Sequence, residues 1–191
     1  MKILILGNCG CGKTYLASHL ANKTGSPLIN LDKLMWIPGT DTFRPEHEIY
    51  EELDNIILYD NYIIEGVWGL VMEYLIQNDD INLLIFLEIN LEECKSNILT
   101  RISEEENGSI PLEERMRIVK YSENYYINPA DADFPSIYDN LPPLERDLYN
   151  QFNLAFHTEI YKDFPCHKIH LKSKNSINKF INDFNELYNL E

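Results

Sequence analysis

The sequence predicts a three-layer α/β/α fold built on a five-stranded parallel sheet. Two observations carry this: five short strand candidates, of which 2–6, 62–66 and 82–89 carry the continuous apolar runs, and segments of helical periodicity between them. A third bounds it, because 191 residues fit one domain with a single core. Hydrophobic residues make up 45% of the chain and charged residues 25%, which is the balance of a folded domain rather than a disordered one.

Lys2-Ile-Leu-Ile-Leu6 is a continuous apolar run ending at Gly7, as expected of a central strand buried on both faces. After Lys13-Thr14, Leu16, Ala17, Leu20 and Ala21 describe a helical face that stops before Gly25-Ser26-Pro27. Residues 27–31 form the second expected strand, followed by a loop or broken helices from Lys33 to Pro45. Helical spacing resumes over 46–59 through Ile49, Leu53, Ile56 and Ile57. The third and fourth strands are expected at 62–66 and 82–89, each leading into a helical segment. In the segment after the fourth, Asn90 is the expected N-cap with Glu93 three residues on, and Leu91, Cys94, Ile98 and Ile102 form the buried face. The fifth strand is expected at 167–171. Ile177, Phe180, Ile181, Phe184, Leu187 and Tyr188 then mark a C-terminal amphipathic helix.

Residues 103–165 break the alternation. They carry 13 acidic and five basic residues, six tyrosines and the pair Pro142-Pro143. Within them 113–126 has helical spacing and 128–143 reads as loop, so the whole is expected to elaborate one sheet edge.

Sixteen basic against 31 acidic residues give a net charge of −15, which opposes a non-specific grip on nucleic acid or on an anionic membrane. The apolar runs are too short for a membrane span, which needs about 18–20 residues. Four cysteines, at 9, 11, 94 and 166, are too sparse for a disulfide scaffold, and a reducing cytoplasm is the expected location.

Gly7-Asn8-Cys9-Gly10-Cys11-Gly12-Lys13-Thr14 satisfies G-x-x-x-x-G-K-[ST] at every fixed position, between an expected strand and an expected helix. The glycines let backbone N–H groups converge on phosphate oxygens, the helix directs its positive end there, and Lys13 adds a mobile charge for the β- and γ-phosphates. Thr14 offers a hydroxyl to Mg²⁺, which takes oxygen ligands. The nucleotide expected is ATP. An Asn-Lys-x-Asp guanine-reading pattern is absent, although guanine is not excluded on that ground. Cys9 and Cys11 fill variable loop positions, and a thiol at a helix N-terminus is open to enhanced reactivity.

Together these pieces resemble the small P-loop kinases related to adenylate kinase, especially the subgroup labelled DNA topology modulation proteins. The resemblance rests on the phosphate loop, Leu31-Asp32 after the second strand, Pro38-Gly39 with Arg44 downstream, and Glu65-Gly66 ending the third strand. It implies an adenylate kinase-like P-loop NTPase fold, with 33–60 as acceptor-binding segment and 103–165 as lid or insertion. Asp32 and Glu65 would stand beyond the carboxyl ends of strands, where open α/β sheets bind ligands. Asp32 is expected to align or deprotonate the acceptor hydroxyl and Glu65 to join Thr14 around the metal, the two roles being exchangeable on sequence grounds. A turn or N-cap role for Asp32 and a structural role for Glu65 stand as alternatives.

Charge around the transferred phosphoryl group falls to few residues, since the chain has five arginines. The resemblance places Arg101 where related kinases begin a lid, makes Arg115 and Arg117 lid candidates, and makes Arg44 the acceptor-side arginine, with Asp32, Glu65 and Gly66 as the other acceptor-binding residues. Lys172 to Asn175 follow the last strand, where related kinases approach the base. Trp36 and Trp68 either wall an acceptor pocket or belong to the core, and the histidines form no ligand pattern. Adenylate kinases carry Asp-Gly-Phe-Pro-Arg where this chain reads Glu65-Gly66-Val67-Trp68-Gly69, so an arginine for an acceptor phosphate is missing. The expected activity is transfer of the ATP γ-phosphate to a small-molecule hydroxyl or phosphate, and the alternative is a nucleotide-dependent switch acting through a protein partner.

Overall fold

The computed structural model describes residues 1–40, 42–104, 112–128 and 151–188, with 112–115 described in their backbone alone. Five parallel strands, β1 (Lys2–Gly7), β2 (Leu28–Asn30), β3 (Tyr62–Gly66), β4 (Leu83–Leu87) and β5 (His167–Leu171), form one sheet in the order β2-β3-β1-β4-β5. The longest of the five strands, β1, lies at the centre between β3 and β4, as its two-sided hydrophobicity requires.

The two-residue period of the strands sorts the core into two layers. Leu4, Leu6, Tyr62, Ile64, Leu84 and Phe86 face one side; Ile3, Ile5, Ile63, Leu83, Ile85 and Leu87 face the other. Helices α1 (Lys13–Thr24) and α8 (Lys174–Leu187) cover the second side with Leu16, Leu20, Ile177, Phe180 and Phe184. On the first side lie α2 (Leu31–Met35), α3 (Glu46–Ile57), α4 (Gly69–Asn78) and α7 (Leu154–Asp163). Two more helices, α5 (Leu91–Glu104) and α6 (Leu112–Asn124), pack against each other through Ile98, Ile102 and Val119. Asn90 caps α5 as expected, its Oδ1 accepting from the Glu93 amide at 2.9 Å.

Three expectations need correction. The second strand stops at Asn30, because the Asn30 side chain accepts from the Lys33 amide and starts α2; Leu31 and Asp32 are helical. The fourth strand is shorter than 82–89, with the Asn82 side chain diverted to the Lys2 amide at 2.7 Å. The segment 103–165 is not confined to an edge. Tyr125, Phe152, Ile160 and Phe164 enter the core on the first face, and α7 packs on α4, β1 and β4. The anchor of α7 is His157, fully buried between the Tyr125 hydroxyl at 2.7 Å and the Val67 carbonyl at 2.8 Å. The carbonyl can only accept, so Nε2 carries the proton and Nδ1 accepts from Tyr125. The loop expected over 128–143, Asn128 apart, lies outside the described residues.

Candidate active site

A cavity of about 670 Å³ opens above the C-terminal ends of β1 and β3, between the phosphate loop and the segments 32–36 and 67–68. Residues 9–15 form one wall. Here the backbone takes a shape that selects glycine: Gly10 has φ 75°, and a Cβ on it would stand 2.4 Å from the Cys94 carbonyl oxygen. Gly12, at φ 98°, turns the chain into α1. The loop is tied from outside as well. Asn97 donates to the Gly10 carbonyl at 2.8 Å, and buried Asn8 donates to the Ser122 carbonyl at 2.9 Å, which joins α6 to the loop.

Lys13 is 6% exposed and its Nζ donates to the Asn8 carbonyl at 2.8 Å. Burial pulls its pKa down, but neighbouring negative charge, at neutral pH that of the Glu65 and Asp32 carboxylates, raises it, so it stays a cation. Burial pushes the Cys9 thiol up to about 12 and raises that of Cys11 also, with Lys13 opposing in both cases. Burial outweighs the helix terminus and the neighbouring cation at both thiols, which accords with their reading as fillers of variable loop positions.

Glu65 is buried and its Oε1 accepts from the Thr14 hydroxyl at 2.8 Å and from Asn30 Nδ2 at 2.5 Å. The sheet register explains this, since Asn30 and Glu65 are partners across β2 and β3, and Glu65 shares a face with Ile63, toward α1. A hydroxyl and two carboxylates, Thr14, Glu65 and Asp32, thus line one cavity with the phosphate loop. That donor set suits a hard cation such as Mg²⁺ completed by water and phosphate oxygens. Among the described residues, no group of three or more His, Cys, Asp or Glu side chains forms a closed metal site.

Asp32 sits in the first turn of α2, and its Oδ1 accepts from Trp68 Nε1 at 2.8 Å. This bond fixes the carboxylate from the far wall, where Trp36, Val67, Trp68, Tyr121 and Phe152 line the cavity. Trp36 is presented by a short hairpin, closed by a bridge to Phe43 and by the Arg44 amide donating to Met35 at 2.8 Å.

The structure does not bring every expected residue to the cavity. Arg101 lines it from α5, while Arg44 turns away, its Nε donating to the Leu34 carbonyl at 2.9 Å and its guanidinium 3.7 Å from Glu48. Arg44 therefore fastens the hairpin and lies outside the residues that line the cavity. Gly66 serves packing, since a Cβ there would stand 2.8 Å from Leu31 Cβ, and Gly7 and Asn8 lie outside the lining residues. Arg117 is exposed and lies outside the lining too; the side chain of Arg115 lies outside the described residues. Lys174 and Ile177 border the cavity from α8.

Residues missed in sequence also line it: Glu93, Asn97, Ile118, Tyr121 and Phe152. The first two had a signal, for Glu93, Asn97 and Arg101 recur every four residues along one helix face. Phe152 had none, because its place depends on how α7 docks.

No protein-family model matches the chain. Among curated proteins, Protein Ycf2 of Jasminum nudiflorum is 25% identical over 152 residues; the match spans 72% of this chain and 8% of that protein. Among solved structures, an uncharacterized protein from Eubacterium ventriosum is similar at TM-score 0.53 and 14% identity, covering 100% of this chain and 99% of its own. A sugar kinase from Janibacter sp. is similar at TM-score 0.51 and 13% identity, covering 99% and 94%. The YorR protein of Bacillus subtilis, solved in complex with phosphorylated GDP, is similar at TM-score 0.50 and 14% identity, covering 100% and 96%. At such identities the likeness establishes the fold alone, which is the three-layer α/β/α P-loop NTPase fold.

Proposed function

We propose that this chain is an ATP- and Mg²⁺-dependent phosphotransferase acting on a small-molecule acceptor. The observation that carries the reading is the meeting of Lys13 and Thr14 with two carboxylates, Asp32 and Glu65, in one cavity. In this reading the loop amides, Lys13 and Arg101 neutralise the phosphates. Thr14 and Glu65 would hold the metal, which would draw charge from the β- and γ-phosphates. Asp32, fixed by Trp68, orients the acceptor hydroxyl and accepts its proton. DNA topology modulation proteins remain the family it resembles on sequence grounds; the charge of −15 opposes a direct grip on nucleic acid, and the four sparse cysteines suit a reducing cytoplasm. Among the described residues, no helix is long and apolar enough to cross a membrane.

The test is ATP consumption with Mg²⁺ across a panel of nucleosides, nucleoside monophosphates and hydroxyl metabolites, beside Lys13→Ala. Acceptor-stimulated turnover, lost in the variant, is expected; turnover equal in both proteins would sink the mechanism. One observation favours a second reading, a nucleotide-dependent switch: Asn8 ties the phosphate loop to α6 inside the 103–165 segment, so occupancy of the loop can reach that segment directly. Tight ATP binding without acceptor stimulation would support it.

A further inference from the structure

The wall opposite the phosphate loop is aromatic and stiff. Trp36 is half-buried and braced by Phe43, with ring centroids 4.2 Å apart. Phe43 in turn meets Trp68 edge-on at 5.7 Å, and Trp68 lies 6.4 Å from Phe152. Trp36, Trp68 and Phe152 all line the cavity, with Tyr121 beside them. Indole faces held this way offer flat apolar area at little entropic cost. The cations that line the cavity, Lys13, Arg101 and Lys174, come from the phosphate loop and from α5 and α8. The charged group at the aromatic wall is the Asp32 carboxylate, held there by Trp68 in the first turn of α2, while the Glu65 carboxylate faces Thr14 and the phosphate loop; a second anion brought beside Asp32 is repelled.

We infer that the Trp36–Trp68 wall is an acceptor subsite for an uncharged compound that joins a flat ring to a hydroxyl group, of which a nucleoside is the simplest chemistry. The ring stacks on Trp36, and the hydroxyl reaches Asp32, whose other side is held by Trp68. The transfer moves the γ-phosphoryl group from ATP to that hydroxyl oxygen. The bond to the bridging oxygen of ADP breaks, and the hydroxyl proton passes to Asp32. This inference rests on the phosphotransferase reading for the reaction, but the subsite is testable by binding alone.

The chain supplies its own probe, because its two tryptophans both line the cavity. Tryptophan fluorescence of the full chain, saturated with a non-hydrolysable ATP analogue and Mg²⁺, is titrated with a nucleoside, its 5′-monophosphate and ribose. Saturable quenching by the nucleoside is expected, with an affinity at least about tenfold above that for the monophosphate and no response to ribose. Trp36→Leu should weaken nucleoside binding about tenfold, read from Trp68, with affinity for the ATP analogue unchanged, and Trp36→Phe should restore most of it. No response to the nucleoside, or equal or tighter binding of the monophosphate or ribose, overturns the proposal. Turnover is read separately: a nucleoside bound at Trp36 yet never phosphorylated sinks the phosphotransferase reading and leaves the subsite standing, whereas turnover confined to a sugar or a monophosphate does the reverse.

Discussion

The two walls of the cavity are made of different materials. One is backbone: a glycine turn whose amides, helix terminus and single buried lysine converge within the eight residues 7–14. The other is side chain: indole, phenol and phenyl rings drawn from the hairpin after α2, from the turn before α4, from α6 and from the approach to α7. Phosphate is the same in every nucleotide, so a local backbone shape suffices for it. A particular acceptor needs a particular surface, and here that surface exists only after four distant segments have docked.

The largest effect should come from breaking the backbone wall. Lys13→Ala removes the buried cation aimed at the phosphates and should lower turnover by about 10²–10³-fold, the usual loss for one preorganised donor. Steady-state kinetics check the loss, and a melting temperature within a few degrees of wild type checks that the fold is kept.

Gly10→Ala attacks the same wall through its shape. The φ of 75° and the 2.4 Å approach to Cys94 O leave no room for a methyl group. A loss of about 1–3 kcal/mol in stability is expected, together with weaker ATP binding. Denaturant unfolding and calorimetric titration measure the two, and a neutral substitution would mean the loop is looser than its hydrogen bonds imply.

The aromatic wall should respond in kcat. Trp68→Phe keeps a ring but deletes the Nε1 donor to Asp32; a hydrogen bond to a charged group is worth about 1.5–3 kcal/mol. We expect kcat to fall by about tenfold with KM for ATP little changed, alongside a melting temperature lower by a few degrees. A change in KM alone would make Trp68 a mere surface.

The support behind that wall should carry a pH signature. Burial holds His157 at about 3, against 6.5 for a free imidazole, with the Val67 carbonyl opposing and Lys13 adding to the depression. The unfolded chain therefore binds a proton that the folded one refuses between those values. Stability should be complete above pH 6.5 and should fall toward pH 3, with a limiting slope of about 1.4 kcal/mol per pH unit from this group. Denaturant melts across that range test it, and His157→Gln should flatten the dependence.

The smallest effect concerns thiols. Cys9, Cys11 and Cys94 are held protonated by burial, while Cys166 is exposed. An alkylating reagent at neutral pH should label Cys166 fast and half-buried Cys9 slowly in the native chain, and all four sites after denaturation. Rapid native labelling at Cys11 would show the loop opening to solvent.

Much of the architecture was legible because burial on two sides leaves a continuous apolar run in the sequence, as in 2–6 and 83–87, and burial on one side leaves a helical stripe, as in 177–188. The segment 151–164 was opaque for the opposite reason. Its apolar residues are interleaved with Asn153, His157 and Thr158, and His157 is tolerated in the core through partners at Tyr125 and Val67, 32 and 90 residues away. Asn30 was missed likewise: nothing local distinguishes an asparagine that caps α2 from one that also donates to Glu65 across the sheet.

The phosphate loop, its strand and its helix were determined by sequence alone, since G-x-x-x-x-G-K-[ST] encodes dihedral angles and donors within one turn of chain. The direction of Arg44, the bond from Trp68 to Asp32 and the place of Phe152 were decided only by tertiary structure. Each depends on which distant group fills the space beside it, and a side chain takes the partner that burial leaves within reach.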